Sequence, residues 1–104
     1  MDHLEFSRND GLYTPLTVID NDGNGLNMTG MDFRGVIEWY GGSMEITEAN
    51  GRLVADDRSQ GEWIISLSDA DAESLSSNAA FLTMRDETPG AELTYVERLA
   101  VKVK

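Results

Sequence analysis

The chain has 104 residues, the length of one domain, and its 40% hydrophobic and 26% charged residues make a globular rather than a disordered composition. It contains no cysteine, which excludes disulfide bonds, thiol catalysis and thiolate metal sites. Nineteen acidic residues against eight scattered basic ones give a net charge of -11. This balance argues against binding to nucleic acid and to anionic membranes, because both require clustered Lys and Arg.

The N-terminus has neither the positive start nor the apolar run of a secretory signal. No stretch approaches the roughly 20 apolar residues that a membrane span needs. We therefore expect a soluble single domain over 1–104 that stays where it is made unless an assembly carries it elsewhere.

Apolar and polar residues alternate along most of the chain, a two-residue period typical of half-buried strands. The clearest run is at 32–40, where Phe33, Ile37 and Trp39 share one phase. The alternation predicts strands near 4–7, 12–20, 32–40, 44–48, 52–55, 62–68, 79–86 and 92–103.

Turn sequences separate these runs. The Asp, Asn and Gly residues of 20–25 tolerate positive φ and predict a turn. Gly41-Gly42 separates two strands at hairpin distance, and Asn50-Gly51 is the strongest short hairpin signal in the chain. Ser68 and Asp71 have the spacing of a capping box, which predicts a short helical turn near 69–76. Together these features predict an all-β fold: a small antiparallel β-sandwich, Ig-like or barrel-like, of about seven or eight strands.

The turn at 20–25 also matches the opening of a calcium loop, with oxygen ligands at Asp20, Asp22 and Asn24. Such a loop is completed by a bidentate Glu at its twelfth position, which here is Met31 and cannot bind the ion. The interpretation as a simple turn is therefore preferred, and a calcium site on these three residues is kept as the alternative.

Catalytic patterns are nearly absent from the sequence. His3 is the single histidine. Pairs of carboxylates that are adjacent in the sequence, such as Asp56-Asp57 and Asp86-Glu87, lie in turn-like or segment-end positions. Acid–base catalysis needs paired carboxyls in a sheltered cleft that separates their pKa values. The sequence therefore predicts a protein that is not an enzyme and has no cofactor.

Three residues are candidates for contact with other proteins. Trp39 and Trp63 fall on the inward phase of their strands, whereas Tyr40 lies on the opposite phase beside two glycines and is the first interface candidate. Met28 and Met31 flank Gly30 and are further candidates, although methionine more often fills gaps in a core.

The order of motifs resembles small domains of tailed-phage virion proteins, above all the N-terminal domain of baseplate upper proteins. The resemblance covers about 12–103. It lies in the apolar strand Leu16–Asp20, the turn Asp22-Gly23, the element Leu26–Gly30 and the step from strand to acidic turn at Trp63–Asp71. Asn50–Leu53 is similar to that family's glycine-led entry into the next strand.

The resemblance implies a structural role in the virion, in the tail, baseplate or host-attachment apparatus. It implies other virion proteins as partners, and we expect a homo-oligomer. Exposed sheet edges are natural docking elements, and we expect the strands at 4–7 and 92–103 to be such edges. A calcium- or carbohydrate-binding module on a similar sandwich is the alternative function.

Overall fold

The structure is a computed structural model, and it describes residues 3–6, 12–75 and 79–103. The described residues form eight strands: β1 (His3–Phe6), β2 (Tyr13–Thr17), β3 (Phe33–Trp39), β4 (Gly42–Ile46), β5 (Leu53–Asp57), β6 (Glu62–Ser66), β7 (Ala80–Asp86) and β8 (Leu93–Val103). A 3-10 helix spans Arg58–Gln60 and an α-helix, α1, spans Asp69–Leu75. The all-β prediction with one short helical turn is therefore confirmed.

The strands form two sheets that pack against each other. A five-stranded sheet has the order β1-β8-β7-β3-β4, and a three-stranded sheet has the order β2-β6-β5. Their inner faces share one core, in which the rings of Phe33 and Trp63 lie 5.0 Å apart. The indole N–H of Trp63 donates to the sulfur of Met28 at 3.2 Å. Trp63 is fully buried as predicted, while Trp39 is half-buried against the core.

Two expectations about strand pairing are wrong in part. Residues 100–103 of β8 lie between β1 and β7 and are not an edge, whereas residues 93–99 have a strand on one side only in the described sheets, and β1 is an edge as expected. The pairing of β1 with β8 is parallel, whereas the other described pairs are antiparallel. A parallel neighbour cannot be joined by a short hairpin, so local turn signals contain no information about this pair.

The turn at 47–51 is the third departure from expectation. It links β4 in one sheet to β5 in the other, so Asn50-Gly51 does not close a hairpin. The side-chain oxygen of Asn50 accepts from the backbone N–H groups of Thr47 and Arg52. Asn50 thus stabilises a crossover between the sheets through local hydrogen bonds. The Asn-Gly pattern alone does not distinguish such a crossover turn from a hairpin turn.

The predicted capping box begins α1. The Ser68 hydroxyl oxygen accepts from the Asp71 backbone N–H at 3.1 Å, and the Asp71 carboxylate accepts from the Ser68 N–H at 3.1 Å. Asp71 also forms a two-pronged ion pair with Arg52 at 2.9 and 3.0 Å, which ties α1 to the start of β5. The helices in the described part of the chain are too short to cross a membrane.

Candidate interaction surfaces

Tyr40 lies at the tip of the β3–β4 hairpin. Trp39 and Gly42 form the last strand pair, which leaves Tyr40 and Gly41 as a two-residue loop. Gly41 has a φ of 99°, a conformation that side chains rarely adopt, so the close turn depends on glycine. The Tyr40 side chain is 98% exposed. The sequence placed this residue on the outward phase, and its role in an interface stays a prediction.

A shallow depression of about 430 Å³ adjoins Tyr40. Its lining comes from β3, β7, β8 and the hairpin, and comprises Glu38, Trp39, Tyr40, Ala79, Phe81, Thr83 and Arg98. We call these residues the hairpin-tip surface. Three aromatic side chains and one arginine give it the composition that is enriched at the centre of protein interfaces.

Arg98 is placed on this surface by an irregularity of β8. Two residues of β8, at 97 and 98, lie opposite Thr83 alone, which is a β-bulge. Arg98 has a φ of 50°, the single non-glycine residue with positive φ in the described ranges, and such backbone costs energy. The bulge directs its guanidinium over the ring of Phe81, 4.6 Å from the centroid, in a cation–π contact.

A second surface is the outer face of the three-stranded sheet, which we call the three-strand face. Pro15, Ile64 and Val54 lie directly opposite one another on adjacent strands and form an apolar row across the whole sheet. Tyr13 extends the row along β2 and is 67% exposed, and Ile19, which is 56% exposed, lies beyond Thr17 in the segment that follows β2. Exposed apolar residues that adjoin one another in this way mark interaction sites more often than isolated ones do.

Two of the sheet edges, those of β4 and β2, are partly blocked. At the β4 edge the carbonyl oxygen of Glu45 accepts from the side chains of Asn50 at 2.9 Å and Arg52 at 3.1 Å. At the β2 edge the backbone groups of Leu12 and Val18 bond toward the β6 side, so those of Pro15, on the other phase of the strand, face the open edge. Pro15 lacks the N–H that an added strand would need there. Docking by strand addition is therefore obstructed at the edges of β4 and β2.

The two methionine candidates lie mainly inside the fold. Met28 is fully buried beside Trp63, so the structure places it in the core rather than on the surface suggested for an interface. Met31 is half-buried and packs against the same core. The contact that marks Met28 as a core residue is the one with the indole N–H of Trp63. Trp63 lies 35 residues away in the chain, so the sequence around Met28 does not indicate this contact.

The 20–25 segment forms a turn that its own side chain stabilises. One carboxylate oxygen of Asp20 accepts from the backbone N–H of Asp22 at 2.9 Å and of Asn24 at 3.0 Å. Asp22 and Asn24 are exposed. The structure does not bring three or more His, Asp or Glu side chains together as a metal-binding group among the residues it describes.

The carboxylates with shifted pKa values serve the fold. A hydrogen bond from Arg52 lowers the pKa of Asp71, against a smaller opposing effect of burial. Asp86 is buried, and the hydroxyl of Thr88, which donates to it at 2.5 Å, lowers its pKa. Both shifts favour the charged form, whereas a general acid at neutral pH needs its pKa raised.

These observations describe an all-β sandwich domain whose conspicuous features are exposed faces. No family model and no curated protein matches the chain. Among solved structures, the chain is similar to the N-terminal domain of ORF48 of phage TP901-1, with a TM-score of 0.56 and 14% sequence identity. The match covers 98% of this chain and 84% of that chain, and at this identity it establishes a shared fold.

Proposed function

We propose that the chain is a non-enzymatic structural domain of a tailed-phage virion, in the tail, baseplate or host-attachment apparatus, that acts by contacting other virion proteins. The motif resemblance between Leu16 and Asp71 supports this proposal, and so does the fold shared with a phage protein domain over nearly the whole chain. The observation that carries it is the hairpin-tip surface, because its tyrosine at the tip, Tyr40, is almost fully exposed and is not part of the folded core.

Tyr40 is the main contact that we propose on this surface. Its ring packs against little of its own chain, so burying it against a partner gains apolar contact that folding did not use. Tyrosine has few rotatable bonds, and fixing it costs little conformational entropy. The arginine at 98 adds a planar cation beside it, already held on Phe81.

A contact of this size is weak alone. Particles of tailed phages are symmetric, so one small interface is repeated many times and the copies hold one another by avidity. This mechanism requires a rigid domain with exposed faces and does not require a reactive site.

The direct test is mass spectrometry of purified particles of the phage whose genome encodes the chain. We expect the chain in the particles at many copies per particle, in a fixed ratio to the tail proteins. Its absence from intact, infectious particles would contradict the proposal.

A variant then tests the hairpin-tip surface. We expect Tyr40→Ala to reduce incorporation into particles by about tenfold or more, the effect of losing a strong interface contact, without lowering the melting temperature. Leu93→Ala is the matched control, because Leu93 is also an exposed hydrophobic residue, at 54%, but lies outside the surface. Equal incorporation of both variants would show that Tyr40 is not the contact.

A further inference from the structure

We infer that Asn24 is a site of spontaneous covalent modification, at which water replaces the side-chain amide, whereas the fold protects the other Asn-Gly pair, Asn50-Gly51, from the same reaction. This modification does not require the proposed role in a virion. The two pairs have the same local chemistry, and they differ in the hydrogen bonds that surround them.

The reaction at an Asn-Gly pair uses two groups of the chain itself. The backbone nitrogen of the glycine loses its proton and attacks the side-chain carbonyl carbon of the asparagine. The bond from that carbon to the amide nitrogen breaks, and ammonia leaves. Water then opens the resulting succinimide ring at either carbonyl, which gives aspartate or isoaspartate. Glycine favours the attack because it has no side chain to shield the nitrogen and its backbone adopts conformations closed to other residues.

At Asn24-Gly25 both reacting groups are free. Asn24 is exposed, and its side-chain amide forms no hydrogen bond within the part of the chain that the structure describes. Gly25 lies opposite Ile19 in an isolated antiparallel bridge, and the two hydrogen bonds of this bridge, at 2.8 and 2.9 Å, come from the residues on either side. The Gly25 N–H therefore points away from the bridge, and it donates to no acceptor among the described residues.

At Asn50-Gly51 the same two groups are occupied. The Gly51 N–H donates to the carbonyl oxygen of Glu48 at 3.2 Å. The Asn50 side-chain oxygen accepts from two backbone N–H groups at 3.0 and 3.3 Å, and its amide nitrogen donates to the Glu45 carbonyl at 2.9 Å. Attack at Asn50 must break these bonds, so it is slower than attack at Asn24 although Asn50 and Gly51 are also exposed.

The isoaspartate product disturbs the turn at 20–25. It lengthens the backbone by one carbon atom between Asn24 and Gly25, beside the bridge to Ile19. Gly25 has little room to move, because even a methyl group added to it would overlap the backbone carbonyl of Gln60. Aspartate adds the same negative charge without lengthening the backbone. We therefore expect isoaspartate, but not aspartate, at this position to lower the melting temperature.

Peptide mapping of the aged chain tests the inference. Trypsin cleaves after arginine and places the two pairs in separate peptides, 9–34 and 35–52. The folded chain is kept at mildly alkaline pH, and each conversion appears as a gain of one mass unit that fragmentation assigns to its residue. We expect Asn24 to convert at least about fivefold faster than Asn50, the factor that corresponds to one net intramolecular hydrogen bond.

The chain unfolded in guanidinium chloride is the control, because without the fold the two pairs are chemically alike. There we expect comparable rates at both, with Asn50 faster than in the folded chain. Asn24→Gln is the matched variant, since glutamine must close a larger ring and reacts far more slowly. It should lose the modification at this position and leave the rate at Asn50 unchanged.

Equal rates at Asn24 and Asn50 in the folded chain would overturn the inference, as would an Asn24 that reacts only after unfolding. The isoaspartate product, separated by chromatography, should melt a few degrees below Asn24→Asp, which carries the same charge. Equal melting temperatures would contradict the expected effect on the turn. The particle measurement is separate, because a chain that is absent from virions can still convert at Asn24.

Discussion

Replacing Asp71 by Asn provides a quantitative test of the link between α1 and β5. The substitution keeps the shape of the side chain but removes its negative charge. In wild type the two carboxylate oxygens accept hydrogen bonds from Arg52 at 2.9 and 3.0 Å. The two side chains are 13% and 29% exposed, so solvent screens the pair only in part. Hydrogen bonds to charged groups contribute about 1.5–3 kcal/mol, and we expect a loss of about 2 kcal/mol in the free energy of unfolding.

Chemical and thermal unfolding at pH 7 measure this loss. For a domain of this size it corresponds to a fall in melting temperature on the order of 10 °C. Asp69→Asn is the matched control, because Asp69 is also an acid in the first turn of α1 but is exposed. We expect the control to cost less than about 1 kcal/mol, the usual size of a charge effect at a helix end.

The pH dependence has a defined sign. The pKa of Asp71 is lower in the folded chain than in the unfolded chain, so its stabilisation is fully present above the ordinary aspartate pKa and is lost as pH falls through the lower folded value. The stability difference between wild type and Asp71→Asn should therefore shrink in acid. Equal losses for the two Asn variants, or a difference that is independent of pH, would refute the argument.

Three further predictions concern the turn, the sheet and the core. Asp20→Ala should lower the free energy of unfolding in urea by about 1 kcal/mol, because it removes two hydrogen bonds from backbone N–H groups. Asp22→Ala should be nearly neutral. Calcium should not raise the melting temperature of wild type. Gly35→Ala should cost roughly 1–3 kcal/mol, since an added methyl group would overlap the sulfur of the methionine opposite it in β7, and a normal melting temperature would contradict this. Met28→Ala should cost about 2–5 kcal/mol, as in other cores, and Met31→Ala clearly less; a reversed order would be inconsistent with their burial.

The local part of the fold was predictable because local chemistry determines it. The alternation around Phe33 and Ile37 requires one buried face, and the Ser68–Asp71 spacing requires a helix start. Strand order is not determined locally. Nothing near 92–103 indicates that β1 will pair in parallel with residues 100–103, and the local sequence around Asn50 does not reveal that this turn joins two different sheets.

The candidate surfaces show the same division. Tyr40 was predictable from its phase, but Phe81 and Arg98 come from distant strands and meet it only through sheet pairing and a bulge. The three-strand face did leave a signal in the sequence that was missed. Pro15 is tolerated within a sheet mainly on an edge strand, and Ile64 is an apolar residue on the polar phase of its strand.

The position of Arg52 has a consequence for the lifetime of the protein in concentrated solution. The same guanidinium that holds α1 also covers the Glu45 carbonyl at the rim of the five-stranded sheet. Loss of this side chain would leave Asn50 as the side-chain donor to the Glu45 carbonyl, so the rim of β4 would be less well covered, and an exposed rim of this kind recruits strands from other molecules. Replacing this one arginine should accordingly promote aggregation out of proportion to the stability it costs.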